Sequence, residues 1–173
     1  MEIITNRLVL RPATVELARA ELYDQSEFAR LLSARVPASW PPETLADALP
    51  LFLSWLEAAP EQVGWFGWYG LELAADESQP TLVGSCGFLG PPAEGTVQIG
   101  YSVLPEFQRR GFATEMVNGI AAWAAAHAEV SRLVAETEWA NPGSVRVLEK
   151  VGFVADGSAA EPGGQRFHLV VNA

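Results

Sequence analysis

Six consecutive residues, Gln108, Arg109, Arg110, Gly111, Phe112 and Ala113, are the place where residue types and spacing could do chemistry. The run before them, Ile99 to Leu104, has the β-branched and aromatic content of a strand. The run after them carries Met116, Val117, Ile120, Ala121 and Ala124 as one apolar helical stripe. A helix that starts straight out of such a turn presents unpaired backbone amides and a partial positive charge, and a glycine there lets a ligand approach the backbone closely. A phosphate group is the natural ligand. The segment is not a Walker loop, because no Gly-Lys-Ser/Thr follows, and it lacks the spaced glycines of a dinucleotide fingerprint. Taken alone, the glycine need only permit a tight turn and the arginines need only be solvated. Their combination with a helix start in an acidic chain favours an anion site.

The elements that must hold this loop are legible on both sides of it. Ile3 to Leu10 reads as a first strand ending at Arg11 and Pro12, and Thr14 caps a helix containing Val15, Leu17, Ala18 and Leu22. Asp24 with Glu27 resembles a capping box that starts a second helical piece. Val36 to Pro42 is a loop carrying Trp40. Leu45, Ala48, Leu49, Phe52, Leu53 and Leu56 then share a helical face that Pro50 should kink or split. Val63 to Ala74 reads as a strand covered on both faces, with Trp65 and Trp68 on opposite sides. Asp76 to Pro80 is a turn and Thr81 to Leu89 its partner strand; a turn at Pro91 to Gly95 leads to the strand Thr96 to Leu104. After the helix, Arg132 to Glu138 should pair parallel with the strand that ends at Leu104. Asn141 caps a helix with Pro142 at its first position, running to Lys150 and stopped by Gly152, and Phe153 to Ala155 and Arg166 to Val171 close the sheet around the EPGG turn.

Composition narrows the partners. The chain has 173 residues, 49% of them hydrophobic and 18% charged, which is the balance of one globular domain spanning residues 1–173. With 21 acidic against 11 basic residues the net charge is -10, so nucleic acid is disfavoured as a partner. An acidic surface could attract a cationic acceptor, although solubility alone explains it. Cys86 is the one cysteine, which excludes an internal disulfide and a cysteine metal cluster; its apolar VGSCGF setting reads as core. No metal site is expected. No signal-peptide pattern and no membrane-spanning apolar run is evident, and a cytoplasmic location is the expectation.

The loop together with its flanks resembles the GCN5-related N-acetyltransferase (GNAT) family, whose Q/R-x-x-G-x-G/A loop binds the coenzyme A pyrophosphate. Gln108, Gly111 and Ala113 match that pattern in place, IGYSVLPEFQ is similar to the family's fourth strand, and Ala113 to Glu115 to the opening of its helix. ITNRLVLRP at the front and NPGSVRVLEKVGF towards the end resemble the RimJ/RimL branch, the ribosomal-protein alanine acetyltransferases. The resemblance implies an α/β (α+β) GNAT fold: a mixed, mostly antiparallel sheet of six to seven strands flanked by helices, with a splayed parallel pair at the cofactor site. It implies acetyl-CoA as cosubstrate and a primary amine, on a small molecule or a protein N-terminus, as acceptor, with a homodimer possible.

Carried over position by position, the backbone of Ser102, Val103 and Leu104 would pair with the pantetheine arm as an added strand. Gln108, Arg109, Arg110, Gly111, Phe112, Ala113 and Thr114 would hold the pyrophosphate, with Asn141 and Ser144 facing the arm from the other side. The amine attacks the thioester directly, a backbone amide near Val103 stabilises the oxyanion, and Ser144 protonates the leaving thiolate. As plain structure, Asn141 is a helix cap and Ser144 a first-turn hydroxyl. The base is the gap: Gln98 stands where many relatives carry Glu, Glu138 reads as an exposed strand end, and His127 and His168 lie in no site motif. Trp40, Trp65, Trp68 and Trp139 are the aromatics that could line an acceptor pocket; at least one of Trp65 and Trp68 reads as core, and Trp40 and Trp139, in loop or strand-end positions, are the better candidates. The alternative reading is a coenzyme A-binding sensor or interaction module without turnover.

Overall fold

Buried and half-buried residues alternate along the strand Leu8–Pro12, so that Leu8 and Leu10 point into the interior, the period-two pattern of a sheet covered on that face. The computed structural model describes residues 1–73, 79–158 and 162–172. Among them lie eight strands in one sheet: β1 Ile3–Ile4, β2 Leu8–Pro12, β3 Gly67–Glu72, β4 Thr81–Phe88, β5 Thr96–Val103, β6 Arg132–Glu138, β7 Val154–Ser158 and β8 Gly164–Val170. Their order is β1-β2-β3-β4-β5-β6-β8-β7, and every neighbouring pair is antiparallel except β5 and β6. The strand expected from Ile3 to Leu10 is instead a tight hairpin. The Thr5 amide donates to the Leu8 carbonyl at 2.9 Å and β1 folds back on β2, which raises the count above the expected six to seven.

Helices cover both faces. On one side α1 Val15–Tyr23, α2 Gln25–Leu32, the short α3 Glu43–Ala46 and α4 Leu49–Ala58 enclose a core that includes Leu17, Phe28, Leu53 and Tyr69. On the other, α5 Phe112–Ala125 and α6 Pro142–Val151 bury Met116, Val117, Ile120 and Leu148 against Leu8, Val83 and Ile99. Thr14 caps α1 by accepting from the Leu17 amide (3.2 Å), and Asp24 caps α2 by accepting from the Ser26 and Glu27 amides. The returning half of the capping box is not made. One residue separates α1 from α2, so the Asp24 amide already donates to Ala20, and Glu27 pairs with Arg30. Pro50 splits the third helical stretch, since it sits in the first turn of α4 where no intrahelical donor is needed.

The strand expected from Val63 begins only at Gly67, because Pro60–Gln62 forms a single helical turn onto which the Trp65 amide donates. Trp65 therefore precedes the strand and does not oppose Trp68 across it; both pack on Trp123, at 4.6 and 5.5 Å between ring centroids. The turn expected at Asp76 to Pro80 and the EPGG turn each fall partly outside the described residues. The parallel pairing of β5 with β6 runs from Thr96↔Arg132 to Ile99↔Ala135 and stops there. Beyond that point β5 stays with β4 as far as Val103, and β6 stays with β8 as far as Glu138. The two strands diverge, and a gap opens in the middle of the sheet.

Candidate active site

Which backbone groups face the gap follows from strand alternation. The Leu104 amide donates to Val83 and the Gln98 carbonyl accepts from Leu89, so even-numbered residues of β5 turn their polar groups to β4. Tyr101 and Val103 turn theirs to the gap, beyond the last β6 pairing. Of the three residues expected to line it with backbone, Val103 faces it, while Ser102 and Leu104 are turned to β4. The Val103 carbonyl accepts from the Gln108 side-chain amide at 3.1 Å, linking the strand to the loop. A Cβ built on Gly100 meets no atom within 4 Å, so one face of the sheet is open at this point of β5.

The loop that follows makes one turn at Pro105–Phe107 and then two left-handed residues, Arg109 (φ 62°) and Gly111 (φ 84°), before α5 begins. No side chain caps α5, and its first helical bond runs from the Glu115 amide to the Gly111 carbonyl. Among the described residues no protein acceptor receives the amides of Arg109 to Thr114. They form a concave run of donors at the positive end of a helix of 14 residues. The two arginines are not equivalent. Arg110 is paired with Glu72 and stacks on the Phe112 ring (4.6 Å), whereas Arg109 is exposed and makes no ion pair among the described residues.

The same ring carries Arg7 on it at 4.7 Å, and Arg7 donates to the Arg110 carbonyl (2.9 Å) and to Glu115 (2.8 Å). Glu115 also accepts from Thr5 and from the Arg7 amide, both at 2.7 Å. Burial works against its charge, but the bonds from Thr5 and Arg7 outweigh it and hold the carboxyl below its usual range. This clamp fixes the start of α5 to the β1–β2 hairpin. Phe112 is thus a core residue by its side chain, and its amide is the part of it that lies in this run of donors. Lys150 of α6, not singled out by the sequence, shares an open hollow with Gly111 and Thr114.

Across the gap, the Asn141 side chain accepts from the Ser144 amide at 3.0 Å and caps α6. The Ser144 hydroxyl lies 2.7 Å from the Tyr101 hydroxyl, which also donates to the Ser144 carbonyl (3.0 Å). Burial pushes the Tyr101 phenol up, and the bond to Ser144 offsets part of that. Tyr101 therefore bridges β5 and α6; the sequence signal for it was its sharing a strand face with Val97 and Ile99. Glu138 is exposed at the end of β6, and Trp139 is 64% exposed, so neither encloses a pocket. His127 packs on Trp65 and Trp123 and His168 faces Asp156, away from the gap.

On the other face of the sheet a cavity of about 280 Å³ runs between α1, α4 and the strands, reaching Gly100, Tyr101 and Ser102. Its lining is apolar, with Leu45, Leu49 and Phe52 on one wall, and it contains Glu21. Glu21 is 5% exposed. Its carboxylate accepts from the Trp40 indole (2.9 Å) and the Tyr69 hydroxyl (2.6 Å), yet burial pushes it up to about 7. Trp40, expected as a pocket wall, is buried as a donor to this group. Glu21 escaped the sequence reading, although a carboxylate at helical spacing from Leu17 on the buried stripe of α1 was a visible signal. Cys86 is buried beside the cavity and burial pushes its thiol up, as befits a core residue. Among the described residues no cluster of His, Cys, Asp and Glu could hold a metal, and no helix is long and apolar enough to cross a membrane.

Known proteins share this fold. Residues 7–154 match the family model described as an acetyltransferase (GNAT) domain. The uncharacterized N-acetyltransferase YjdG of Bacillus subtilis (strain 168) is 30% identical over 158 residues, 91% of this chain and 92% of that protein. Among solved structures, RimL, a ribosomal alpha-N-protein acetyltransferase in complex with coenzyme A, superimposes with a TM-score of 0.69 at 18% identity, covering 100% of this chain and 99% of that one. A spermidine N-acetyltransferase SpeG chimera from Vibrio cholerae and hSSAT does so with a TM-score of 0.66 at 15% identity, covering 96% of each. The splayed strands, the uncapped helix after the loop and the family match over most of its length agree: the chain belongs to the GNAT acetyltransferase family.

Proposed function

We propose that residues 1–173 form one N-acetyltransferase domain that moves an acetyl group from acetyl-CoA to a primary amine, of a small molecule or a protein N-terminus, by direct attack within a ternary complex. The observation that carries this reading is the continuity of two sets of amide donors that have no protein acceptor among the described residues, the β5 edge at Tyr101 and Val103 and the amides of Arg109 to Thr114. A pantetheine arm needs a strand partner and a pyrophosphate needs backbone donors, so the residues present fit the cosubstrate. Arg109 and Lys150 supply the nearby positive charge, and Asn141 borders the arm from α6. The cosubstrate provides the activated thioester carbon.

The Ser144 and Tyr101 hydroxyls, 2.7 Å apart, form a pair through which a proton reaches the leaving thiolate. A serine hydroxyl alone is a weak acid, and the neighbouring phenol improves the match. Holding amine and thioester in line supplies much of the remaining acceleration. The RimJ/RimL-like motifs and the fold likeness to RimL support this branch of the family.

Calorimetric titration with acetyl-CoA tests the reading, with saturable binding expected and no heat at millimolar ligand overturning it. Ser144→Ala should lower kcat by about 100-fold while leaving acetyl-CoA affinity nearly unchanged, measured as thiol release. Gln98, which takes no proton, favours a second reading, a coenzyme A-binding module without turnover. Tight binding with no thiol release across a panel of amines would establish that one.

A further inference from the structure

Glu21 is a buried carboxylate that no cation pairs with among the described residues. Both of its donors, Trp40 and Tyr69, are neutral, and each takes one oxygen, which leaves lone pairs on both oxygens unused. Burying a charge with neutral partners only is costly, and a cation completes such a site. Glu21 is also, among the described residues, the one charged residue lining the cavity that reaches Gly100 to Ser102 on β5. We propose that this cavity is the acceptor site, that Glu21 binds the acceptor's ammonium, and that the acceptor is a small primary amine with one positive charge on an apolar body.

The chemistry of the walls sets the class. A polyamine or an aminoglycoside carries several cations and needs several carboxylates, whereas the remaining lining here is largely apolar, with Leu45, Leu49, Phe52 and Leu56 on its walls. A volume of about 280 Å³ suits a compact body. A carboxyl pushed up to about 7 by its surroundings regains full charge when a cation arrives and then takes back one proton from the bound ammonium. The neutral amine attacks the thioester carbon, the C–S bond breaks, and the leaving thiolate takes its proton from the Ser144–Tyr101 pair.

The inference rests on the acetyl-transfer reading, but direct binding of the acceptor tests it separately. The full chain is titrated with 2-phenylethylamine and with 2-phenylethanol, which has the same apolar body without the charge, following tryptophan fluorescence. The amine should bind wild type at least about 30-fold more tightly than the alcohol, and Glu21→Gln should remove that preference. The same amine should be acetylated with a kcat/KM above that of spermidine, kanamycin or a peptide beginning with Ala. Equal affinity of wild type for amine and alcohol, or preference for a polycation or the peptide, overturns the inference. The wild-type comparison decides even if Glu21→Gln fails to fold. Binding of acetyl-CoA, measured independently, would survive that result, whereas its absence would overturn the acetyl-transfer reading instead.

Discussion

Glu21 shows how one residue in an otherwise apolar helix face changes what a domain can do, and its cost is measurable. Burial raises its folded-state pKa from 4.5 to about 7. Between those values the folded chain holds a proton that the unfolded chain has lost, so stability falls as pH rises through this window and is level above it. A rise of this size corresponds to about 3 kcal/mol. Glutamine can keep both contacts, accepting from Trp40 and donating to the Tyr69 oxygen, without carrying a charge. The stability of Glu21→Gln relative to wild type should therefore increase by up to about 3 kcal/mol from pH 5 to pH 8 in urea unfolding. A difference that stays constant with pH would show that Glu21 titrates normally and that its site is wetter than described.

At the scale of elements, the turn into α5 joins the strand edge to the helix start, and Gly111 sets its shape. Its φ of 84° is a left-handed conformation, and a Cβ there would come 3.4 Å from the Arg7 guanidinium that clamps Glu115. Gly111→Val should cost about 1–3 kcal/mol in stability through backbone strain and weaken acetyl-CoA by at least about tenfold. Gly111→Asn, which tolerates this backbone, should recover much of the stability. Calorimetry on both variants reads the effect, and unchanged affinity in the valine variant would remove the loop from the site. Much of this element was legible beforehand, because Gln108 to Ala113, the cap at Asn141 and the parallel strand from Arg132 are local patterns. The clamp of Arg7 on Glu115 and the Tyr101–Ser144 contact were not, since each joins residues far apart in the chain. Trp65 was misplaced for a related reason: the turn at Pro60–Gln62 delays the strand, and aromatic alternation does not record that.

At the scale of the whole molecule, the sheet is continuous up to Ile99 and Ala135 and divided beyond them, with α5 on one side of the loop and α6 across the gap. A ligand that fills the gap joins parts that the chain leaves separate. Acetyl-CoA at 100 times its Kd should therefore stabilise the fold by about 2.7 kcal/mol, a rise in Tm of about 5–11 °C for a chain of this length. Amide exchange separates coenzyme binding from the capture of any phosphate. The amides of Arg109 to Thr114 lack protein acceptors among the described residues, so they should exchange rapidly in the free chain and slowly in the complex. The Tyr101 and Val103 amides should slow with them only if an extended arm lies along β5. ATP has the phosphates without the arm, so it should protect the loop at most and leave Tyr101 and Val103 exchanging as before. Equal protection of both segments by ATP would mean that the gap closes without a pantetheine strand, and the added-strand reading of β5 would fall with it.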